Sequence, residues 1–574
     1  MSATYDLVIR GGSVIDGLGG PAIETDIGII GGRIAEIGSI STEGREEIDA
    51  RGQIVTPGFV DIHTHYDGQA MWESRFLPSS WHGVTTVVMG NCGVGFAPVR
   101  VQDRDRLIEL MEGVEDIPGI ALHEGLDWQW EGFASFMAAL ERRPHDIDFC
   151  AHVPHAALRV YVMGARAARL EMATPEDVAE MRRLTAEAVR AGAIGVSTSR
   201  SINHKSVKGD PTPSLRAAEN ELLGLALGVK DAGRGVLQMI MDFDDPTEIH
   251  SDFAMMRRLV EQSGRPLSFS LMQKHGNTDG WRKLLALTEE ANRDGLQMRA
   301  QVAPRGIGVL LGLQTSRNIF SECPTYRKFA NEPLASRIAQ MRKPEIREAL
   351  IAELVATETG LGKRLSEFDN IFAFGDLADY DPGEDASITA ISRQQNRSPE
   401  QVAYDLTIAN EGRGILYSPF ANYAFRNLDA CAEMMESPYT VLGLGDGGAH
   451  VAMISDSSFQ TFVLTHYGRG GLFDLPHLVK RQTSDTARMI GLLDRGHLAP
   501  GMKADLNVID MNALEIQPPH MFHDLPAGGG RLLQNANGYV ATIVSGVPVY
   551  RHGKATGALP GKLVRGQQPA PQCQ

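Results

Sequence analysis

Apolar and polar positions first alternate in short runs parted by glycines. Tyr5-Asp6-Leu7-Val8-Ile9-Arg10 precedes Gly11-Gly12, and Ser13-Val14-Ile15-Asp16-Gly17 follows. Residues 26–30 then meet Gly31-Gly32 and residues 33–38, a hairpin signature, since glycine reaches the positive φ of a tight turn without steric cost. Similar runs return at the far end, at 504–510, 539–544 and 547–550. Such strands cannot bury a face alone. The pattern therefore predicts a small β-sandwich domain built from both chain termini, residues 1–58 and 491–566. The Gln/Pro-rich tail, 567–574, is expected to be disordered.

Between these ends, strand-like runs alternate with helical periodicity, the mark of parallel βα units. Val84-Thr85-Thr86-Val87-Val88-Met89 is β-branched and nearly all apolar, as a strand covered on both faces should be. Thr174-Pro175-Glu176-Asp177 opens a helix with an N-cap, a proline at the first helical position and acids in the first turn. Val178, Met181 and Ala188 supply its apolar face, and Gly192 ends it. Further strand candidates lie at 193–197, 235–241, 267–272, 297–302, 414–417 and 440–444. With the strand before His63 they fill about eight slots, so the predicted class is α/β: a (β/α)8 TIM-like barrel over 59–490. Residues 306–413 are too long for one βα loop. Helices over 343–357 and from Ser398-Pro399-Glu400 make this stretch an inserted lid or subdomain.

Composition narrows the function classes. The 574 residues carry a net charge of −16 and a sequence pI of about 5.6, which argues against nucleic acid or an anionic membrane as partner. No run approaches the roughly 20 apolar residues of a spanning helix, and Met1-Ser2-Ala3-Thr4-Tyr5-Asp6 has no signal-peptide pattern. Five scattered cysteines fit a reducing compartment. The expectation is a cytoplasmic protein acting on a small molecule; monomer and homo-oligomer stay open.

The candidate chemistry centres on Val60-Asp61-Ile62-His63-Thr64-His65, which follows an apolar run broken by Pro57-Gly58. Residues two apart on a strand share a face. His63 and His65 thus present two imidazoles at a strand end, with Asp61 behind. Such a pair suits a divalent ion such as zinc; the competing reading is two histidines on the surface or packed in the core. Gly90-Asn91-Cys92-Gly93 ends the second barrel strand, where a metal would lower the thiol pKa enough for ligation. Gly443-Leu444-Gly445-Asp446-Gly447-Gly448-Ala449-His450 ends the last. Its small residues permit close approach by a ligand. Asp446 is the candidate metal ligand and the base that takes a proton from water. His155, after the third strand, is a candidate substrate or oxyanion contact, with a purely structural role the equal alternative. His450 is a further candidate substrate contact.

These motifs, with His155-Ala156-Ala157-Leu158-Arg159, Gly192 to Thr198 and Arg495-Gly496-His497-Leu498-Ala499-Pro500-Gly501, resemble the N-acyl-D-amino-acid deacylases (D-aminoacylases) of the amidohydrolase superfamily. The resemblance spans nearly the whole chain. It implies that His63 and His65 bind the catalytic metal, with Cys92 and Asp446 completing the set. Two departures stand out. Those enzymes carry a histidine near the fifth strand, where this chain reads Leu237-Gln238-Met239-Ile240-Met241-Asp242. They carry another in Ser-His-His-Lys near the sixth strand, where it reads Ser270-Leu271-Met272-Gln273-Lys274. With the cysteine, those histidines hold the tightly bound zinc in the family, and both are absent. The family's lysine holds the substrate carboxylate. Lys274 is displaced by one residue, a step that turns a side chain to the other face, so Gln273 takes the aligned place. Gln273 and Lys274 both remain candidate substrate contacts. The expectation is metal-dependent hydrolysis of an amide around one zinc ion, with a second ion in question. Alternatives are a cyclic-amide (hydantoinase-type) hydrolase, an amidase for a bulky amide without a free carboxylate, and a metal-poor scaffold.

Overall fold

The computed structural model describes residues 5–356, 363–374, 378–453 and 456–572. The end of the helix expected over 343–357, at Thr357, lies outside them; the helix itself is Pro344–Val355. Strands from the two termini meet in one nine-stranded sheet running from Lys554–Ala555 to Arg33–Gly38. Ile54–Pro57 is the joint. It lies parallel to the end of Leu7–Val14 and antiparallel to Leu506–Ile509. The sheet closes over its own core of Ile9, Ile27, Val55, Leu506 and Ile543. Burying this shared face is what holds residues some 450 positions apart together.

The barrel strands are β1 (Phe59–Asp61), β2 (Val84–Met89), β3 (Asp148–Pro154), β4 (Gly195–Ser199), β5 (Val236–Ile240), β6 (Leu267–Leu271), β7 (Met298–Val302) and β8 (Thr440–Leu442), paired in parallel and in chain order. Just beyond β1 and β8, Thr64 bridges Gly447, His65 N–H donates to Gly447 O at 2.7 Å, and Asp446 N–H donates to His63 O at 3.1 Å. Ring closure therefore brings the last strand's carboxylate beside the first strand's histidines. The helix Pro175–Ala191 starts at a capping box, Thr174 with Asp177, and ends at Gly192; such a cap contributes about 1 kcal/mol.

The run at 414–417 is not a barrel strand. It belongs to Ile415–Ala421, which pairs antiparallel with Ile307–Gly312 and Phe372–Ala373. The insertion between β7 and β8 therefore continues past 413, because its own sheet needs this strand. It has its own core around Leu311, Phe320, Ile371, Tyr404 and Leu416. The tail is also more ordered than expected at its start: Gln568 N–H donates to Gly491 O and Gln568 O accepts from Leu493 N–H. Cys573 and Gln574 lie outside the described residues. No described helix is long and apolar enough to cross a membrane, and the four described cysteines are free and buried.

Candidate metal centre

His63 and His65 leave β1 at the C-terminal mouth of the barrel, both fully buried. Cys92 Sγ lies 3.4 Å from His63 Nε2 and 3.8 Å from His65 Nε2. One ligand atom from each of the three lies within 4.8 Å of the others. Asp446 Oδ1 is 3.4 Å from His63 Nε2 and 3.5 Å from His65 Nε2. Its side chain keeps 19% exposure against 1% or less for the histidines, so among these groups the carboxylate reaches outward.

Tight backbone geometry assembles the group. Cys92, Asp446 and His450 all have φ between +47° and +56°, which costs a non-glycine residue about 1–3 kcal/mol and collects at functional sites. Gly448 has φ +87°, and a Cβ there would come within 2.9 Å of the His65 backbone. At Gly90, a Cβ would meet the His152 carbonyl at 2.7 Å. Both glycines are required by close approach.

The groups behind the ligands fix their orientation. His63 Nδ1 lies 2.7 Å from Gln301 Oε1, while Gln301 Nε2 donates to Ser268 Oγ. With its amide nitrogen engaged there, Gln301 can only accept from His63, so Nδ1 carries the proton and Nε2 faces Cys92 and Asp446 with its lone pair. His65 Nδ1 sits 3.3 Å from Glu115 Oε1, and Glu115 Oε2 sits 3.7 Å from His450 Nε2. Asp61 is indeed behind the pair: it accepts from His63 N–H at 3.0 Å and from Gln460 Nε2 at 3.1 Å.

Electrostatics fit a cation. Burial lowers His63 to about 4, keeping it neutral as ligation requires. Burial also pushes His65 down, but Glu115 and Cys92 outweigh it and raise its pKa well above the usual value. Burial lifts the Cys92 thiol to about 12 and Glu115 to about 7. Burial would raise Asp446 too, yet His65 and His63 hold it well below the usual carboxylate range. His65 therefore seeks a positive charge at Nε2, and the buried thiol needs one to ionise. His65 Nδ1 and Glu115 Oε1 are buried without a hydrogen-bond partner among the described residues, as expected where ion-pair attraction alone links them. The donor set fits a divalent ion.

The remaining sequence candidates are placed differently. His155 is fully buried; its Nδ1 meets Thr198 Oγ1 at 2.7 Å and its Nε2 meets Glu221 Oε1 at 2.9 Å. Arg159 joins the same Glu221, so both ring nitrogens are engaged by protein groups, the arrangement of the structural alternative. Gln273 Oε1 accepts from Ala424 N–H, and its backbone exchanges bonds with Asn422. It anchors the loop after Ile415–Ala421. Lys274 donates to the Asp242 carbonyl and to the Asp244 carboxylate, partners that already compensate its charge. His450 does reach the ligand group, through Glu115. Glu115 and Gln301 were not singled out from sequence. One signal was available for Glu115: it ends the helix Arg104–Glu115, where the helix dipole disfavours an acid.

A shallow recess opens beside Asp446 against Gln69, Asp456 and Arg531. A second lies at the ends of β5 and β6, lined by Met241, Asp242, Ser270 and Met272.

A parallel barrel with two imidazoles just after its first strand, a thiol after the second and a carboxylate after the last is an α/β barrel with a candidate metal site at its C-terminal mouth. The amidohydrolase family's sequence profile matches residues 46–550, and the chain belongs to that family. It is similar to a D-aminoacylase of Alcaligenes xylosoxydans xylosoxydans, 27% identical with 98% of each chain covered. An N-acyl-D-aspartate deacylase of the same organism is 37% identical over 34% of this chain and 37% of its own. Among solved structures, an N-acyl-D-glutamate deacylase from Bordetella bronchiseptica, complexed with zinc and a phosphonate inhibitor, has a TM-score of 0.65 at 22% identity, with 98% of this chain and 100% of that one covered. That likeness establishes the fold.

Proposed function

We propose that this protein is a zinc-dependent amide hydrolase of the N-acyl-D-amino-acid deacylase kind, acting on a small-molecule amide. The observation that carries the reading is the convergence of His63 Nε2, His65 Nε2 and Cys92 Sγ, with Asp446 Oδ1 beside the two imidazoles. The similarity to a D-aminoacylase over 98% of both chains supports the substrate class.

His63, His65 and Asp446 would hold one ion, with Cys92 close enough to share it. Mixed imidazole, thiolate and carboxylate donors suit zinc. When bound, such an ion supplies Lewis acidity toward the amide carbonyl and lowers the pKa of water. The residues do the rest. Gln301 keeps His63 in the tautomer that turns Nε2 inward. Glu115 orients His65. Asp446, ionised at neutral pH, takes a proton from the attacking water and delivers it to the leaving nitrogen as the C–N bond breaks. The reducing compartment inferred from the cysteines makes a cytoplasmic setting our reading.

The test is metal analysis of the purified protein together with a panel of N-acyl-D-amino acids, their L-enantiomers and cyclic imides. About one zinc per chain and turnover of the D-series support the proposal. Two tightly held ions after dialysis would reveal a missed ligand, and turnover confined to cyclic imides would favour a ring-opening hydrolase instead.

A further inference from the structure

We infer that His204, on the loop after β4, is a further catalytic residue, whose Nε2–H holds the carbonyl oxygen of the scissile amide as negative charge collects there; this rests on the amide-hydrolase reading above. The loop crosses the barrel mouth. On one side Ser201 Oγ and Ile202 N–H donate to the Asp242 carboxylate, just beyond β5. On the other, Val207 N–H donates to the Glu109 carbonyl and Lys208 pairs with the Glu109 carboxylate. There the loop lies on the helix Arg104–Glu115, so closely that a Cβ on Gly113 would clash with the Ser206 backbone. That helix ends in Glu115, the partner of His65. A loop tied at both sides in this way holds its middle over the ligands.

Local contacts present one ring nitrogen to the mouth. Ser199 ends β4 beside the thiol: a Cβ on Gly93, next to Cys92, would lie 3.1 Å from Ser199 N. Ser199 Oγ meets His204 Nδ1 at 2.8 Å and accepts from Ser201 N–H at 3.1 Å. The serine hydroxyl therefore donates to Nδ1, and the ring proton sits on Nε2. Nε2 has no hydrogen-bond partner among the described residues and is not sealed from solvent, His204 being half-buried. The charges acting on the ring are those of His450, His65, Asp446 and His63, which puts it at the ligand group. Burial, with His450 and His65 adding to it, lowers its pKa to about 3. The ring is thus a neutral donor.

The step it serves balances without a further reactant. Asp446 takes a proton from water, the water oxygen bonds to the amide carbon, and the carbonyl electron pair moves onto oxygen. His204 Nε2–H donates to that oxygen. As the C–N bond breaks, the pair returns to the carbonyl and the nitrogen leaves with the proton from Asp446. His204 keeps its own proton throughout. A fixed donor aimed at an oxygen that gains charge stabilises the tetrahedral state more than the bound amide. His155 has no nitrogen to spare for this contact, and His204 does.

The test combines kinetics on the best substrate of the N-acyl-D-amino acid panel with calorimetric binding of methylphosphonate, a tetrahedral oxyanion, and of acetamide, its planar counterpart. All are measured on the full-length, metal-loaded protein. His204→Phe removes the donor, so kcat should fall about 100-fold with KM changed less than about threefold. Methylphosphonate should bind about tenfold or more weakly to that variant, with acetamide binding and metal content unchanged. His204→Gln can still donate and should recover about tenfold of the lost kcat. Ser199→Ala frees the ring and should lower kcat about tenfold, the effect of a positioning residue. Near-normal kcat in His204→Phe, a loss confined to KM, or unchanged methylphosphonate binding would overturn the assignment. Loss of metal from that variant would also overturn it, by making His204 a ligand. A wild-type protein that hydrolyses no amide would sink the proposed function and this role with it; an active amidase indifferent to His204→Phe would sink only the role.

Discussion

The two halves of the barrel mouth have opposite chemistry. On the side of β1, β2 and β8, His63, His65, Cys92 and Asp446 converge within ion-binding distance, supported by Gln301 and Glu115. On the side of β5 and β6, the corresponding strand ends offer Met241, Met272 and Ser270, with Asp242 and Lys274 beside them. The first half has imidazole, thiol and carboxylate donors together; in the second, thioethers favour soft ions, a neutral hydroxyl is a weak ligand, and the Asp242 carboxylate is engaged by Ser201 Oγ and Ile202 N–H. The contrast teaches that one barrel can gather metal-ligand types at one side of its mouth while the strand ends across from them carry mostly apolar and neutral side chains.

The sharpest way to break the comparison is to remove the first half's imidazoles. His63→Ala or His65→Ala should abolish metal binding and lower kcat/KM by about a thousandfold or more, since both the ion and its chemistry are lost. The fold should persist, because ring closure runs through the backbone groups of His63, His65 and Gly447. Metal content and activity of either variant decide it: full occupancy with wild-type turnover would place the ion elsewhere.

Why the ligand half was readable and its support was not follows from distance along the chain. His63 and His65 declare themselves by their period of two at a strand end, and Asp446 by the small residues around it. Gln301 meets His63 across 238 positions, and nothing local in Met298–Val302 marks its amide as a partner. Glu115 reaches His65 only because the end of a helix folds over the mouth. The run at 414–417 has the apolar, aromatic make-up of a barrel strand, yet its pairing with Ile307–Gly312 is set by the insertion's own core; composition does not specify the partner. The surroundings of His155 were hidden for a similar reason. Its partners Thr198 and Glu221 lie on later βα units, invisible to a local reading.

A smaller effect distinguishes holding the ion from moving the proton. Asp446→Asn keeps the shape and one ligand oxygen but cannot take a proton from water. Its kcat should fall by roughly 10²–10⁴, with KM changed little. Steady-state kinetics on metal-saturated protein separate the cases. A large rise in KM with near-normal kcat would assign Asp446 to substrate binding and leave the base unidentified.

The mildest change tests the second half. Family resemblance implies a lysine near β6 that grips the substrate carboxylate, and losing such a charge-assisted bond typically costs about 1.5–3 kcal/mol, more than tenfold in affinity. Lys274 is differently engaged. Its ammonium donates to the Asp242 carbonyl and to Asp244, whose side chain is 52% exposed. Removing it leaves Asp244 to water and costs little there. Lys274→Met should therefore change kcat/KM for N-acyl amino acids less than threefold and should not separate them from neutral amides of the same acyl chain. The informative measurement is that paired comparison. A tenfold rise in KM confined to carboxylate-bearing substrates would show that Lys274 leaves Asp244 for the substrate, and the β5–β6 side would then be an anion site.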